Sequence, residues 1–183
     1  MRGYFGIGVE GLSKPMNAGS LFRTAHAFGA AFVFTIDAAY KRQIGRRADT
    51  SDTTSQVPLH EFATLAEFRL PKGCVLVGVE IVPDAIDLPS FHHPHAAAYV
   101  LGAERSSLSP ELLARCAHVV KIPTKFSLNV ALAGALVMYD RLKSLGNYPA
   151  RPLMPGGPKP GDKPKHVFGA AKTAVRGRQN KND

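Results

Sequence analysis

The run Ala31-Phe32-Val33-Phe34-Thr35-Ile36 is apolar at all but one position, does not alternate, and is closed by Asp37. A strand with one wet face alternates apolar and polar residues. An unbroken run rich in aromatic and β-branched side chains is instead a strand covered on both faces, and strands of that kind belong to parallel sheets. The flanking sequence agrees. Gly3 to Val9 reads as a first strand, followed by a loop containing Lys14 and Pro15. From Ala18, Leu21, Phe22, Ala25 and Phe28 fall at helical spacing, with Gly29 as a left-handed stop. The order strand, helix, strand calls for a parallel pair with a crossover helix.

The same pattern continues along the chain. Leu59 to Phe68 reads as a short helix, and Cys74 to Ile81 and Ala97 to Ala103 as strands. Pro110 to Cys116 reads as a helix with Ser109 as its N-cap and Pro110 at the favoured first position. His118 to Ile122 is the last strand. Leu128 to Leu145 is a closing helix with Leu128, Leu132, Leu136, Tyr139 and Leu142 along one face and Gly146 beyond its end. The expected fold class is therefore α/β, a mostly parallel sheet covered by helices on both faces. A length of 183 residues suits one such domain and is short for two.

Composition changes beyond Tyr148, where Pro152, Pro155, Pro158, Pro160 and Pro164 alternate with glycines and lysines. Such a segment has too little apolar surface to offset its ordering entropy. The expected organisation is a domain over residues 1–148 and a flexible basic tail over 149–183. Residues 151–183 carry eight basic side chains against Asp162 and Asp183, a net of +6 within a chain total of +9. That balance favours polyanions such as nucleic acid. Cys74 and Cys116 stand alone in apolar surroundings, which suits reduced structural thiols and neither a disulfide framework nor a zinc pattern. No secretory leader and no apolar run of membrane-spanning length is evident, so a cytoplasmic protein without membrane partners is expected.

Several stretches invite a functional reading. Gly6-Ile7-Gly8-Val9-Glu10-Gly11 matches the dinucleotide-binding pattern G-x-G-x-x-G, but that fingerprint follows a strand and opens a helix, and here Ser13-Lys14-Pro15 interrupts what comes next. Glycines in a strand that another backbone approaches closely account for it better. His92, His93 and His95 lack companions at ligand spacing, so a solvated loop and no metal is expected. Arg23 on the first helix reads, on spacing alone, as an arginine whose stem covers apolar surface while its head stays in water. Glu104 follows an apolar strand at the ligand-binding edge of the sheet, where a capping or salt-bridging carboxylate is the plainer alternative. From Ile122 to Asn129 a strand runs into a polar loop and then a helix, the kind of junction where open α/β sheets bind ligands. Ser127 reads locally as the N-cap of that helix. Asn129, one step inside, is a poor helix former unless its amide has a specific partner. Lys41, Arg42, Arg46 and Arg47 crowd a loop rich in serine and threonine, which suits phosphate and ribose contacts of RNA.

Three of these stretches resemble, in order, the signature motifs of the SpoU (TrmH-like) branch of the SPOUT RNA methyltransferases. They are Asn17 to Ala25, Leu101 to Ser109 and Ile122 to Gly134. The resemblance spans roughly residues 3 to 145. It implies a carboxyl-terminal trefoil knot, S-adenosylmethionine (SAM) as methyl donor, and a ribose 2′-hydroxyl of RNA as acceptor. It further implies a homodimer in which the first-motif arginine reaches the partner's site, with the closing helix as a plausible interface. On that basis Arg23, Asn17, Glu104, Ser127 and Asn129 are the expected catalytic residues. Val79, Leu101, Gly102, Ile122, Pro123 and Leu128 are the expected cofactor contacts. Ser107 stands where the family usually has glycine. No extra amino-terminal RNA-binding domain is evident, which by analogy favours transfer RNA over ribosomal RNA. The competing reading is a knotted RNA-binding protein without transferase activity.

Overall fold

The computed structural model describes residues 3–38, 56–103 and 107–157. Seven strands form one sheet: β1 (Tyr4–Glu10), β2 (Phe32–Ile36), β3 (Leu59–Phe62), β4 (Val75–Val79), β5 (Ile86–Asp87), β6 (Ala96–Leu101) and β7 (His118–Lys121). Their spatial order is β3-β2-β1-β6-β4-β7-β5, and every pair is parallel. Among the described residues three α-helices accompany them: α1 (Pro15–Ala27), α2 (Pro110–Arg115) and α3 (Val130–Leu145).

The two-sided burial expected of the apolar runs is what the strands show. Phe5, Ile7 and Val9 of β1, Val77 and Val79 of β4, and Ala97, Tyr99 and Leu101 of β6 point into one core, with Leu21 of α1 and Val137 of α3. Alternate residues such as Phe34, Leu76 and Val100 point to a second core on the opposite face with Leu112 of α2. Gly6 and Gly8 are explained by their neighbours. A Cβ on Gly6 would fall 2.2 Å from the Phe32 ring, and one on Gly8 would fall 2.3 Å from the carbonyl oxygen of Phe34. The glycines are therefore a packing device, and no helix opens where a dinucleotide fingerprint needs one.

Four expectations need correction. Residues 59–68 do not form a helix. Leu59, Phe62, Leu65 and Phe68 have helical spacing, but Leu59–Phe62 is an edge strand, its ends tied to β2 by Val33 N–H to Pro58 O at 2.9 Å and Asp37 N–H to Phe62 O at 3.0 Å. The chain then turns back and stacks Phe68 on Phe34, with ring centroids 5.2 Å apart. Helix α1 starts at Pro15 and not near Ala18, with proline in the first turn where its missing N–H costs nothing. The face of α3 expected to be apolar points outward, with Leu132 and Tyr139 about half exposed at 52% and 53%, while Val130, Gly134, Val137 and Met138 face the core.

The fourth correction concerns the histidines. His92 and His95 are exposed, but His93 is 1% exposed and belongs to a buried polar chain. Its Nε2 lies 3.0 Å from Asp140 Oδ2, and its Nδ1 lies 2.6 Å from the Tyr99 hydroxyl. Arg141 Nη1 donates to that same Tyr99 oxygen at 3.2 Å and Nη2 to His95 O at 2.8 Å. A carboxylate only accepts, so Nε2 carries the proton, Nδ1 accepts from Tyr99, and every member is satisfied with a neutral imidazole. Burial pushes the His93 pKa down against the pull of Asp140, and pushes that of Tyr99 up. The chain pins α3 to the amino ends of β1 and β6.

Among the described residues no cluster of three or more His, Cys, Asp or Glu side chains is arranged to hold a metal, and no helix is long and apolar enough to cross a membrane. Cys74 and Cys116 are unbridged, and burial raises the Cys116 thiol to about 11, which keeps it protonated and unreactive. Residues 149–157 carry no regular structure, with Leu153 and Met154 in solvent. The rest of the expected tail lies outside the described residues.

Candidate active site

A parallel sheet aligns the carboxyl ends of its strands along one edge, where loops leave and ligands enter. At that edge a cleft of about 540 Å³ opens between the loops that follow β4, β6 and β7. Small-molecule sites span about 300 to 1,000 Å³. The strand order shapes it: β7 lies between β4 and β5, so residues 80–85, which join β4 to β5, bridge across β7. The chain leaving β7 at Ile122 has to pass that bridge, and this is where the expected knot would form.

Five of the six expected cofactor contacts, Val79, Leu101, Gly102, Ile122 and Leu128, line the cleft. Pro123 does not. It sits at the apex of a tight turn closed by Thr124 N–H to Ile122 O at 2.8 Å, and is exposed. A second bond, from the Thr124 hydroxyl to Phe126 O at 2.8 Å, shapes the loop toward α3.

Ser127 and Asn129 both line the cleft, but their local roles differ from those expected. Asn129 is the N-cap of α3: its Oδ1 accepts the Ala131 N–H at 2.9 Å. Its Nδ2 donates to Asn17 Oδ1 at 3.1 Å. One amide therefore caps α3 and ties it to the first turn of α1, joining the first and third motifs across 112 residues. Both helices start at the ligand edge, so their first-turn N–H groups face the same region.

Arg23 lies on the exposed side of α1 and is not among the residues lining its own chain's cleft. It stands six residues beyond Asn17, about 9 Å of helical rise. Glu104 and the four basic residues Lys41, Arg42, Arg46 and Arg47 lie outside the described residues.

The cleft also contains three charged residues that sequence reading passed over: Lys14, Glu80 and Lys121. Lys14 precedes α1, Glu80 follows β4 directly, and Lys121 ends β7. The signal was available, since each sits where a buried strand ends or a ligand-edge helix begins, the reasoning applied to Glu104. With apolar walls between two ammonium groups, a carboxylate and the Asn129 amide, the cleft suits an extended organic ligand bearing charged and polar ends.

The sequence pattern of the SpoU rRNA Methylase family matches residues 5–139. A tRNA (guanosine(18)-2'-O)-methyltransferase of Escherichia coli K12 is 26% identical over 144 residues, covering 76% of this chain and 63% of that protein. A mouse tRNA (guanosine(18)-2'-O)-methyltransferase is 28% identical over 145 residues, 74% of this chain but 9% of its own. The chain thus spans less than two thirds of these relatives. A solved structure described as giving insights into the 2-OH methylation of C/U34 on tRNA is 25% identical with a TM-score of 0.70, covering 79% of this chain and 98% of that one.

Proposed function

From the premise that this chain belongs to the SpoU rRNA Methylase family, we propose that it transfers a methyl group from SAM to a ribose 2′-hydroxyl of RNA. Transfer RNA is the favoured substrate, a homodimer the active form and the cytoplasm the working compartment. The observation that carries this reading is the Asn17–Asn129 bond at the mouth of a cleft built from the loops after β4, β6 and β7.

The residues fit the methyl donor. Val79, Leu101, Ile122 and Leu128 offer apolar walls to a purine and the methionine methylenes, and Lys14 and Lys121 offer ammonium groups to the methionine carboxylate or to an RNA phosphate. Bound SAM supplies an electrophilic methyl on a sulfonium leaving group. What remains for the protein is alignment of the ribose oxygen and help in losing its proton. The role proposed for Ser127 and Asn129, which line the cleft, is to hold the ribose, with Asn17 fixing the Asn129 amide. A guanidinium does not give up its proton, so the role of Arg23 is to grip the target phosphate and steady the developing alkoxide, and the hydroxyl proton passes to solvent water as the methyl–oxygen bond forms and the methyl–sulfur bond breaks. Glu104, outside the described residues, completes the proposed catalytic set.

The position of Arg23 supports the dimer reading. It lies outside its own cleft, and the outward Leu132, Leu136 and Tyr139 of α3 give a second copy an apolar face to cover. In that arrangement Arg23 serves the partner's site. Lys41, Arg42, Arg46 and Arg47 and the basic segment from Arg151 onward carry the remaining RNA contacts. In this reading residues 1–148 are the transferase domain and 149–183 the tail. Calorimetric titration with SAM tests the proposal: saturable binding is expected, and a folded protein that takes up no SAM at millimolar concentration refutes it.

A further inference from the structure

Strand β6 lies between β1, whose last residue is Glu10, and β4, which Glu80 follows directly, and both carboxylates reach residues 108 and 109 beyond β6. Glu80 Oε2 accepts the Leu108 N–H at 2.8 Å, and its Oε1 accepts its neighbour's Ile81 N–H at 2.8 Å. From the other side, Glu10 Oε2 accepts the Ser109 N–H at 2.7 Å and its Oε1 the Ser109 hydroxyl at 2.6 Å. Ser109 Oγ in turn accepts the Leu112 N–H at 3.2 Å, capping α2. Four donors that no strand ladder pairs are thus met by two acceptor-only side chains. Ile81, which one Glu80 bond holds, and Ser107, the neighbour of the Leu108 that the other holds, both line the cleft.

Resting on the reading of the cleft as the SAM site, we propose that Glu10 and Glu80 are positioning residues that set the Ser107 wall of that site. Charge-assisted bonds to a partly buried carboxylate are the strongest restraint the surroundings offer.

The two carboxylates have different hydrogen-bond demands, and this makes the proposal testable. Both oxygens of Glu80 accept backbone N–H groups, which cannot reverse direction. A glutamine there has one acceptor and one donor, so Glu80→Gln loses a bond and sets N–H against N–H. Glu10 accepts one backbone N–H and one hydroxyl, and a hydroxyl rotates. Glu10→Gln therefore keeps both contacts, its amide donating to Ser109 Oγ.

The experiment compares wild type with Glu10→Ala, Glu10→Gln, Glu80→Ala and Glu80→Gln in SAM calorimetry and in amide hydrogen exchange of Leu108 and Ser109 without ligand. Glu80→Gln, like both alanine variants, is expected to weaken SAM binding about tenfold and to speed exchange, because a charge-assisted bond is lost. Glu10→Gln is expected to rescue what Glu10→Ala loses. Wild-type SAM affinity and exchange in Glu80→Gln would overturn the proposal, as would Glu10→Gln behaving like Glu10→Ala. If an alanine variant fails to fold, the glutamine pair decides alone. Wild type that binds no SAM would instead refute the SAM-site reading, while the exchange rates still report on the clasp.

Discussion

Replacing Asn129 separates two functions that its amide combines. Asn129→Ala removes the N-cap bond to Ala131 N–H and the bond to Asn17 Oδ1. Loss of an N-cap costs about 1 kcal/mol, and a partly exposed amide bond about 0.5 to 1.5 kcal/mol. Together these are about 2 kcal/mol, a fall in Tm of about 4 to 8 °C for a chain of this size. Asn129→Ser keeps a capping oxygen but cannot reach Asn17, so only the second cost of about 1 kcal/mol remains. Methyl transfer should nevertheless fall in the serine variant by about tenfold or more, because the group that aligns the ribose is no longer anchored. Urea denaturation and a transfer assay measure the two effects, and a cycle with Asn17→Ala isolates the pair. A serine variant as unstable as the alanine variant would refute the capping assignment. Additive effects of Asn17→Ala and Asn129→Ser would refute the coupling between the motifs.

Three further outcomes follow from the same geometry. Arg23→Ala should abolish methyl transfer with SAM affinity nearly unchanged, and mixing Arg23→Ala subunits with Asn129→Ala subunits should restore partial activity; absence of complementation despite verified subunit exchange would place each site on one chain. His93 has a pKa below the ordinary value of about 6.5, so the folded state binds fewer protons than the unfolded state and its stability contribution, complete above that value, is lost as pH falls through the window just below it. Melting curves from pH 7.5 to 5.5 should show this loss in wild type and a shallower one in His93→Gln, and equal slopes would contradict it. Truncation after Tyr148 removes +6 of the +9 charge and should leave Tm and SAM affinity close to wild type while flattening the salt dependence of RNA binding; an unfolded product or an unchanged salt slope would show that the segment packs on the domain.

The elements legible in the sequence were those whose burial is extreme. Strands β2, β4 and β6 are continuous apolar runs and β1 is one broken only by glycines before Glu10, while α2 carries the Ser109 and Pro110 pair that starts a helix. Strand β3 was not legible, because an edge strand of four residues paired on one side needs little hydrophobicity, and Leu59, Phe62, Leu65 and Phe68 mimic a helical face. Strand β5, two exposed residues long, has no pattern to read. At the site, serine and asparagine cap helices about equally well, so local preference could not choose between Ser127 and Asn129. A partner on α1 decides it. His93 was misjudged for the same reason: its partners Tyr99, Asp140 and Arg141 come together only in the fold.

Methyl transfer to a ribose 2′-hydroxyl leaves its mark in the product RNA, at the position of the transferred methyl group. Transfer RNA is incubated with the full chain and SAM labelled in its methyl group, then digested to nucleosides that are separated and identified. Label is expected in a 2′-O-methylated ribonucleoside and is expected to vanish in Arg23→Ala. Label on a base, or SAM bound without any transfer to RNA, would contradict this chemistry.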